Sequence, residues 1–190
     1  MFSKSKQVAG ITTKIFLITL AFISVSSIVW AALEPDETDQ FNGQVASDFS
    51  ISSLKGDSIS LTKYKGQPVL LSFFASWCPP CRQEIGELIK LNKKYNPKGL
   101  QIIGAATDSK LIPETSDAQE ESDVRKLAER LEIPYPIIIA DQKLVKAYSF
   151  IGIPTTVFIN REGKIVKVFY GYHNAEAFEN ILDKLLVAEE

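Results

Sequence analysis

Cysteine is scarce in this chain, because Cys78 and Cys81 are the only two in 190 residues. Any disulfide joins these two residues or reaches another molecule, which excludes a disulfide-stapled scaffold. An excess of positive charge is also lacking: 21 Lys and Arg residues stand against 23 Asp and Glu residues, for a net charge of −2. A near-neutral chain creates no field that attracts nucleic acid, so no nucleic-acid partner is expected.

The only long apolar run lies near the start of the chain, in residues 15–33, with three lysines before it and four acidic residues after it. This order is typical of a secretory signal or an N-terminal membrane anchor. A 19-residue helix would span about 28 Å, barely a bilayer, while small Val29 and Ala31 would allow cleavage before Ala32. Residues 1–33 are therefore predicted to be either a cleaved signal peptide or a retained anchor, with a buried core helix as the third alternative.

The polar residues 34–44 are predicted to be a tether, followed by one domain over residues 45–190. This domain is expected on the outer side of the cytoplasmic membrane, in the cell envelope, where disulfides persist. Its pattern predicts a hairpin around 49–61, strands at 69–74, 100–107, 137–140, 155–160 and 165–170, and helices at 79–95, 117–132 and 175–187. Strands that alternate with helices and end in an antiparallel hairpin predict an α/β sandwich with a mixed central sheet.

The two cysteines fall where the first buried strand ends and the first long helix begins, in Trp77-Cys-Pro-Pro-Cys81. At a helix N-terminus the unpaired N–H groups and the helix dipole favour a thiolate on Cys78. Pro79 and Pro80 suit a first helical turn, which needs no N–H donors there, and they stiffen the loop. Cys81 would then be close enough to resolve a mixed disulfide. A zinc site and an inert cysteine pair are the alternatives, and zinc lacks further soft ligands apart from His173.

The segment Val69–Glu84 resembles the active-site region of the thioredoxin superfamily, and most of all its exported, membrane-tethered TlpA/ResA branch. The similarity runs from about Val45 to Leu186 and includes the signature Gly152-Ile-Pro-Thr-Thr156 and the hairpin at Asn160–Val166. The resemblance implies a thioredoxin-like sandwich with an N-terminal β-hairpin and an extra helical insertion between strands.

The same resemblance implies roles for the residues around the cysteine pair. Cys78 would be the nucleophile and Cys81 the resolving thiol of a redox disulfide. Pro154 matches the family's cis-proline, which leaves the backbone before it, at Ile153, free to pair with a substrate chain. Trp77 would shield one side of the site and, with Pro79 and Pro80, contact the substrate.

Glu84 is the third candidate catalytic residue. It follows Cys81 by three positions, so the two share a helix face, and an acid there could exchange the proton of the resolving thiol. The alternative is an exposed helix glutamate, the usual situation for this residue type. The resemblance favours the catalytic role, because members of this branch carry a glutamate at this offset. Thioredoxin itself buries an aspartate where this chain has Ser72.

The function predicted from these residues is an extracytoplasmic thiol-disulfide oxidoreductase that reduces disulfides in envelope proteins. By resemblance, its targets include apocytochrome c and copper-site proteins, and its electrons come from a transmembrane thiol reductase. No cofactor or metal is expected, and the chain is expected to be a monomer. A disulfide-forming oxidant of the same fold remains open. A copper chaperone using Cys78, Cys81 and His173 is a further alternative. A peroxidase is disfavoured, because peroxiredoxins need a Ser or Thr three residues before the nucleophile and this chain has Ala75 there.

Two other groups of residues are expected to lie at the surface without a role at the site. His173 precedes the last helix and is predicted to be a surface residue and not a ligand. The acidic residues before and within the second helix are predicted to form a solvated face. They are Glu114, Asp117, Glu120, Glu121 and Asp123.

Overall fold

The computed structural model describes residues 41–111, 116–148 and 151–187. Within these ranges the chain forms one compact unit. The predicted signal or anchor, most of the predicted tether, and Glu114 lie outside the described residues. Within the described ranges, no helix is both long and apolar enough to cross a membrane.

Seven strands and five α-helices make up the described part of the fold. The strands are β1 (Ser50–Ser52), β2 (Ser58–Ser60), β3 (Val69–Phe74), β4 (Gln101–Ala106), β5 (Ile137–Ile139), β6 (Thr155–Ile159) and β7 (Ile165–Tyr170). The helices are α1 (Pro79–Tyr95), α2 (Asp108–Leu111), α3 (Asp117–Arg130), α4 (Gln142–Tyr148) and α5 (Ala175–Val187), with short 3-10 turns at Leu61–Tyr64 and Asn96–Lys98.

Five of the strands form the central sheet, in the order β5-β4-β3-β6-β7. β3, β4 and β5 are parallel, whereas β6 runs antiparallel to β3 and β7 antiparallel to β6. β1 and β2 form a separate antiparallel pair. The predicted mixed sheet and N-terminal hairpin are thus confirmed, and the fold is thioredoxin-like.

The sheet is covered on both faces, which explains why β3 is apolar and buried throughout. One core layer joins Leu70, Phe74 and Phe158 of the sheet to the buried sides of α1, α3 and α5. The opposite layer joins Leu71, Phe73 and Val157 to the β1–β2 hairpin and α4. Because successive side chains of a strand point to opposite faces, the alternating residues of β3 divide between these two layers.

The structure adds two short helices and corrects one expectation. α2 and α4 were not predicted; α4 begins after Asp141, whose carboxylate accepts the Leu144 N–H at 2.7 Å. Among the acidic residues expected to face solvent, Asp117 and Glu121 are exposed, but Glu120 is fully buried. Its Oε2 accepts a hydrogen bond from the Ser109 hydroxyl, so this carboxylate faces the α2 segment and not the solvent.

Candidate active site

The strand directions bring the chemically notable residues to one edge of the sheet. β3 ends at Phe74 and leads through Ala75–Trp77 into α1. Since β6 is antiparallel to β3, its first residue, Thr155, lies opposite Phe73, near the end of β3. Pro154, directly before Thr155, therefore lies at the same edge as the cysteine pair. β7 ends at this edge too, because Tyr170 pairs with Thr155.

Cys78 and Cys81 form a disulfide across the first turn of α1, with their Cα atoms 5.3 Å apart. Cys78 is the N-cap of the helix, and its Sγ accepts the Cys81 backbone N–H at 3.3 Å. Pro79 and Pro80 occupy the first two helical positions, where a missing N–H costs no helical hydrogen bond. Cys78 is 4% exposed and Cys81 is fully buried, so an incoming group reaches Cys78 first.

Glu84 lies one turn after Cys81 and is only 1% exposed. The Thr156 hydroxyl donates to its Oε1 at 2.7 Å, and the His173 backbone N–H donates to its Oε2 at 3.0 Å. Burial raises the pKa of Glu84 from 4.5 to about 7, although both hydrogen bonds favour the carboxylate and act in the opposite direction. A carboxyl group with this pKa exchanges protons readily at neutral pH.

A row of small or polar residues across the sheet accompanies this buried carboxyl group. Ser72 lies between Gly104 and Thr156 in the register of β4, β3 and β6. Its Oγ is 3.3 Å from Thr156 Oγ1, so the two hydroxyls and the Glu84 carboxyl form one hydrogen-bonded chain. Ser72, at the position where thioredoxin has an aspartate, thus carries a hydroxyl group. The acidic group near the dithiol is Glu84, which comes from α1.

The rim of the site is apolar and open. Trp77 and Tyr172 are exposed, and Ile151 is 77% exposed. Pro79 and Pro80 are exposed as well, whereas Ile153 is half-buried and Pro154 is buried. The Ile153–Pro154 peptide bond is cis, the conformation that the family resemblance implies. The carbonyl of Pro154 accepts the Gly171 N–H at 2.8 Å, which connects this loop to the end of β7.

His173 lies at the partly exposed margin of the site. Its ring is half-buried, with its centroid 4.6 Å from that of Phe169, and its backbone N–H binds Glu84. Across the ranges that the structure describes, no group of three or more His, Cys, Asp or Glu side chains could hold a metal ion.

Two contacts to Glu84 were not predicted. Thr156 belongs to the Gly-Ile-Pro-Thr-Thr signature, so a buried hydroxyl near the dithiol could have been proposed from sequence. The His173 contact uses the backbone N–H, which any residue except proline can supply. No residue type marks such a contact, and the sequence contains no signal for it.

Comparison with known proteins identifies the family. Residues 42–168 match the AhpC/TSA family. The thioredoxin-like protein YneN of Bacillus subtilis is 35% identical over 141 residues, covering 74% of this chain and 78% of YneN. The thiol-disulfide oxidoreductase ResA of Geobacillus thermodenitrificans is 29% identical over 183 residues, covering 96% and 98% of the two chains.

The fold is shared with solved structures of thiol-disulfide exchange proteins. A crystal structure of a thioredoxin-family thiol:disulfide interchange protein from Chlorobium tepidum superposes with a TM-score of 0.66 at 26% identity, covering 76% of this chain and 97% of the other. The chain belongs to the AhpC/TSA family of thioredoxin-fold proteins and is a ResA-like thiol-disulfide oxidoreductase.

Proposed function

We propose that this oxidoreductase works outside the cytoplasm as a reductant of disulfides in envelope proteins. The observation that carries the proposal is the buried Glu84 carboxyl group, one helical turn from Cys81, with a pKa of about 7. A resolving thiol must lose its proton before it can attack, and the ordinary thiol pKa is about 8.5. Glu84 supplies a proton acceptor at the buried side of the dithiol, where water has little access.

The reaction begins with the dithiol form of the protein. The Cys78 thiolate, favoured by the N-terminus of α1, attacks one sulfur of the target disulfide, and the other target sulfur leaves as a thiolate that takes up a proton. Glu84 accepts the proton of Cys81, whose thiolate then attacks Cys78 Sγ. The first target sulfur is released as a thiolate and takes up the proton that Glu84 accepted, and the Cys78–Cys81 disulfide forms. Two electrons pass from the protein to the target, and the target ends as a dithiol.

The target would bind across the apolar rim. Trp77, Pro79 and Pro80 border the cysteines on one side, and the Ile153–Pro154 loop lies at the same sheet edge. An extended target segment could pair with the backbone at Ile153 as an added strand. Exposed apolar side chains around a nearly buried disulfide suit a polypeptide substrate better than a small thiol.

The location and the electron supply belong to the same proposal. Residues 1–33 would be a signal peptide or membrane anchor and 34–44 a tether, which would leave the thioredoxin-like domain in the cell envelope. The similarity to ResA, which extends over 96% of this chain, supports this arrangement. A transmembrane thiol reductase would return the disulfide to the dithiol form, and the targets would include apocytochrome c or copper-site proteins. The protein would act as a monomer.

Trapping tests this function directly. In Cys81→Ser the resolving thiol is absent, so targets should accumulate as mixed disulfides on Cys78 in intact cells. Adducts are detected by non-reducing gels and identified by mass spectrometry, and Cys78→Ser/Cys81→Ser is the matched control without a nucleophile. Alkylation with a membrane-impermeant reagent should label the wild-type cysteines in the dithiol form. A wild-type protein found entirely as a disulfide would identify an oxidant, and the absence of adducts would contradict the proposed reaction.

A further inference from the structure

Asp108 is a buried carboxylate that the proposed reaction does not use. It lies beside the active-site loop, Ala75–Trp77, which leads from β3 to the cysteine pair. It follows β4 by two residues and is 2% exposed. Both of its oxygens lie within 3.0 Å of the Ser76 backbone N, and the Ser76 hydroxyl also donates to Oδ1. A backbone N–H can only donate, so these contacts suit the ionised carboxylate. Burial acts the other way and raises the pKa of Asp108, and the charge of Asp123 on α3 raises it further.

Ser76 is held on its other side by α1. The Arg82 Nε–H donates to the Ser76 carbonyl oxygen at 2.8 Å. The N–H, the hydroxyl and the carbonyl of this residue are therefore all bound to charged side chains. Since Ser76 precedes Cys78 by two residues, their Cα atoms are at most about 7.6 Å apart. Asp108 thus contributes a negative charge next to the loop that carries the attacking thiol, at a site largely shielded from solvent.

We propose that Asp108 is a positioning residue that keeps the dithiol reducing, because its carboxylate holds the loop at Ser76 and opposes a second negative charge on Cys78. A reduced form stabilised as a thiolate makes a strong oxidant. A neighbouring carboxylate destabilises that thiolate, favours the disulfide and lowers the reduction potential. Arg82 is exposed and favours the thiolate, but solvent screens its charge more than that of buried Asp108. Glu84, on the far side of Cys81, is neutral or ionised according to pH.

The test is the exchange of Asp108 for Asn, which keeps an acceptor for the Ser76 N–H and removes the charge. In the full-length protein, the equilibrium with glutathione should shift up to about tenfold towards the dithiol, equivalent to a potential about 30 mV more oxidising. The pH dependence of Cys78 alkylation, followed by mass spectrometry, should give a thiolate pKa lower by up to about one unit. Asp108→Ser, a smaller neutral acceptor, should shift both quantities in the same direction.

Two variants separate charge from structural support. Ser76→Ala keeps the carboxylate and the backbone bonds, so it should lower the melting temperature and leave the potential within about twofold in equilibrium constant. Asp141→Asn removes the same charge at the end of β5, where the carboxylate binds the Leu144 N–H and not the active-site loop. It should leave the potential unchanged.

The outcomes distinguish this inference from the function on which it rests. If Cys78 is not the thiol that is alkylated first, the proposed reaction itself fails. If Cys78 reacts first but neither neutral Asp108 variant moves the potential or the thiolate pKa, only the role of Asp108 is wrong. The same conclusion follows if Ser76→Ala shifts the potential as much as Asp108→Asn, or if neither neutral variant folds, since Asp108 would then serve the fold and not the redox balance.

Discussion

The hydroxyl of Thr156 donates a hydrogen bond to Glu84 Oε1 at 2.7 Å, although 72 positions separate the two residues along the chain. Thr156 lies one residue inside β6, two positions after the cis-proline, and Glu84 lies one turn after the second cysteine. The contact therefore joins the two motifs that define the site, the Cys-Pro-Pro-Cys turn and the Ile-Pro-Thr-Thr loop. A proton released at Cys81 would arrive at a carboxyl group that both motifs hold in place.

Replacement of Glu84 by Gln should slow the resolving step about 10²-fold near pH 7, because the buried proton acceptor is lost while the side-chain volume is kept. The attack by Cys78 should change much less, since its thiolate depends on the helix N-terminus. Single-turnover reduction of a protein disulfide, with Trp77 fluorescence as the signal, separates the two steps. Glu87→Gln, one turn further along α1, is the matched control and should retain the wild-type rate. Equal rates for Glu84→Gln and wild type would remove the acid-base role.

Replacement of Thr156 by Val should raise the pKa of Glu84 above about 7, because the carboxylate loses a hydrogen bond that favours its ionised form. The rise of the resolving rate with pH should then move to higher pH, whereas the plateau rate should be kept. A pH–rate profile of single turnovers measures this shift. Ser72→Ala removes a hydroxyl that contacts Thr156 and not Glu84, so its profile should move less. An unchanged profile for Thr156→Val would show that the bond does not tune this carboxyl group.

The stability of the oxidised protein should fall as pH rises from about 4.5 to above 7. The pKa of Glu84 is about 7 in the folded protein, whereas its ordinary value, which applies to the unfolded chain, is 4.5. The folded state therefore binds the proton more tightly. The resulting stabilisation is complete below pH 4.5 and is lost as the pH passes through 7. A difference of this size corresponds to about 3 kcal/mol in the free energy of unfolding.

Urea unfolding of the disulfide form at pH 5 and pH 8 measures this loss, with no free thiols to titrate. In Glu84→Gln the free energy of unfolding should fall by about 3 kcal/mol less between pH 5 and pH 8, because an amide does not ionise. An equal pH dependence in the two proteins would contradict a raised pKa at Glu84.

Long apolar runs and helical stripes made most of the fold predictable from sequence. β3, β7, α1 and α5 have the predicted bounds, because each is a continuous run or a clear stripe with a cap or proline at its start. α4 was missed because seven residues are too few for a reliable period, and its clearest signal was the cap at Asp141. Periodicity detects elements that bury a long face, and it misses those held by a single capping bond.

The burial of Glu84 marks the limit of sequence reasoning about the site. Its position one turn after Cys81 could be predicted from the helix alone. Its environment could not, because the groups that satisfy its oxygens come from Thr156 and His173, which are 72 and 89 positions away. The sequence around a single glutamate in a helix is the same whether the side chain is exposed or buried. Only the tertiary fold, which brings the Thr156 hydroxyl and the His173 N–H to the same turn of α1, decides between them.

The exposed side chain of Ile151 should matter for protein substrates and not for small ones. It is 77% exposed three residues before Pro154, at the edge of the sheet that carries the disulfide. Ile151→Ser should raise the KM for a protein disulfide several-fold, because apolar contact with the target is lost, and leave the rate with oxidised glutathione unchanged. Val45→Ser is the matched control: Val45 is 74% exposed and pairs with Lys164, at the opposite edge of the sheet. Equal losses in both variants, or a loss with glutathione as well, would contradict a target-binding rim at Ile151.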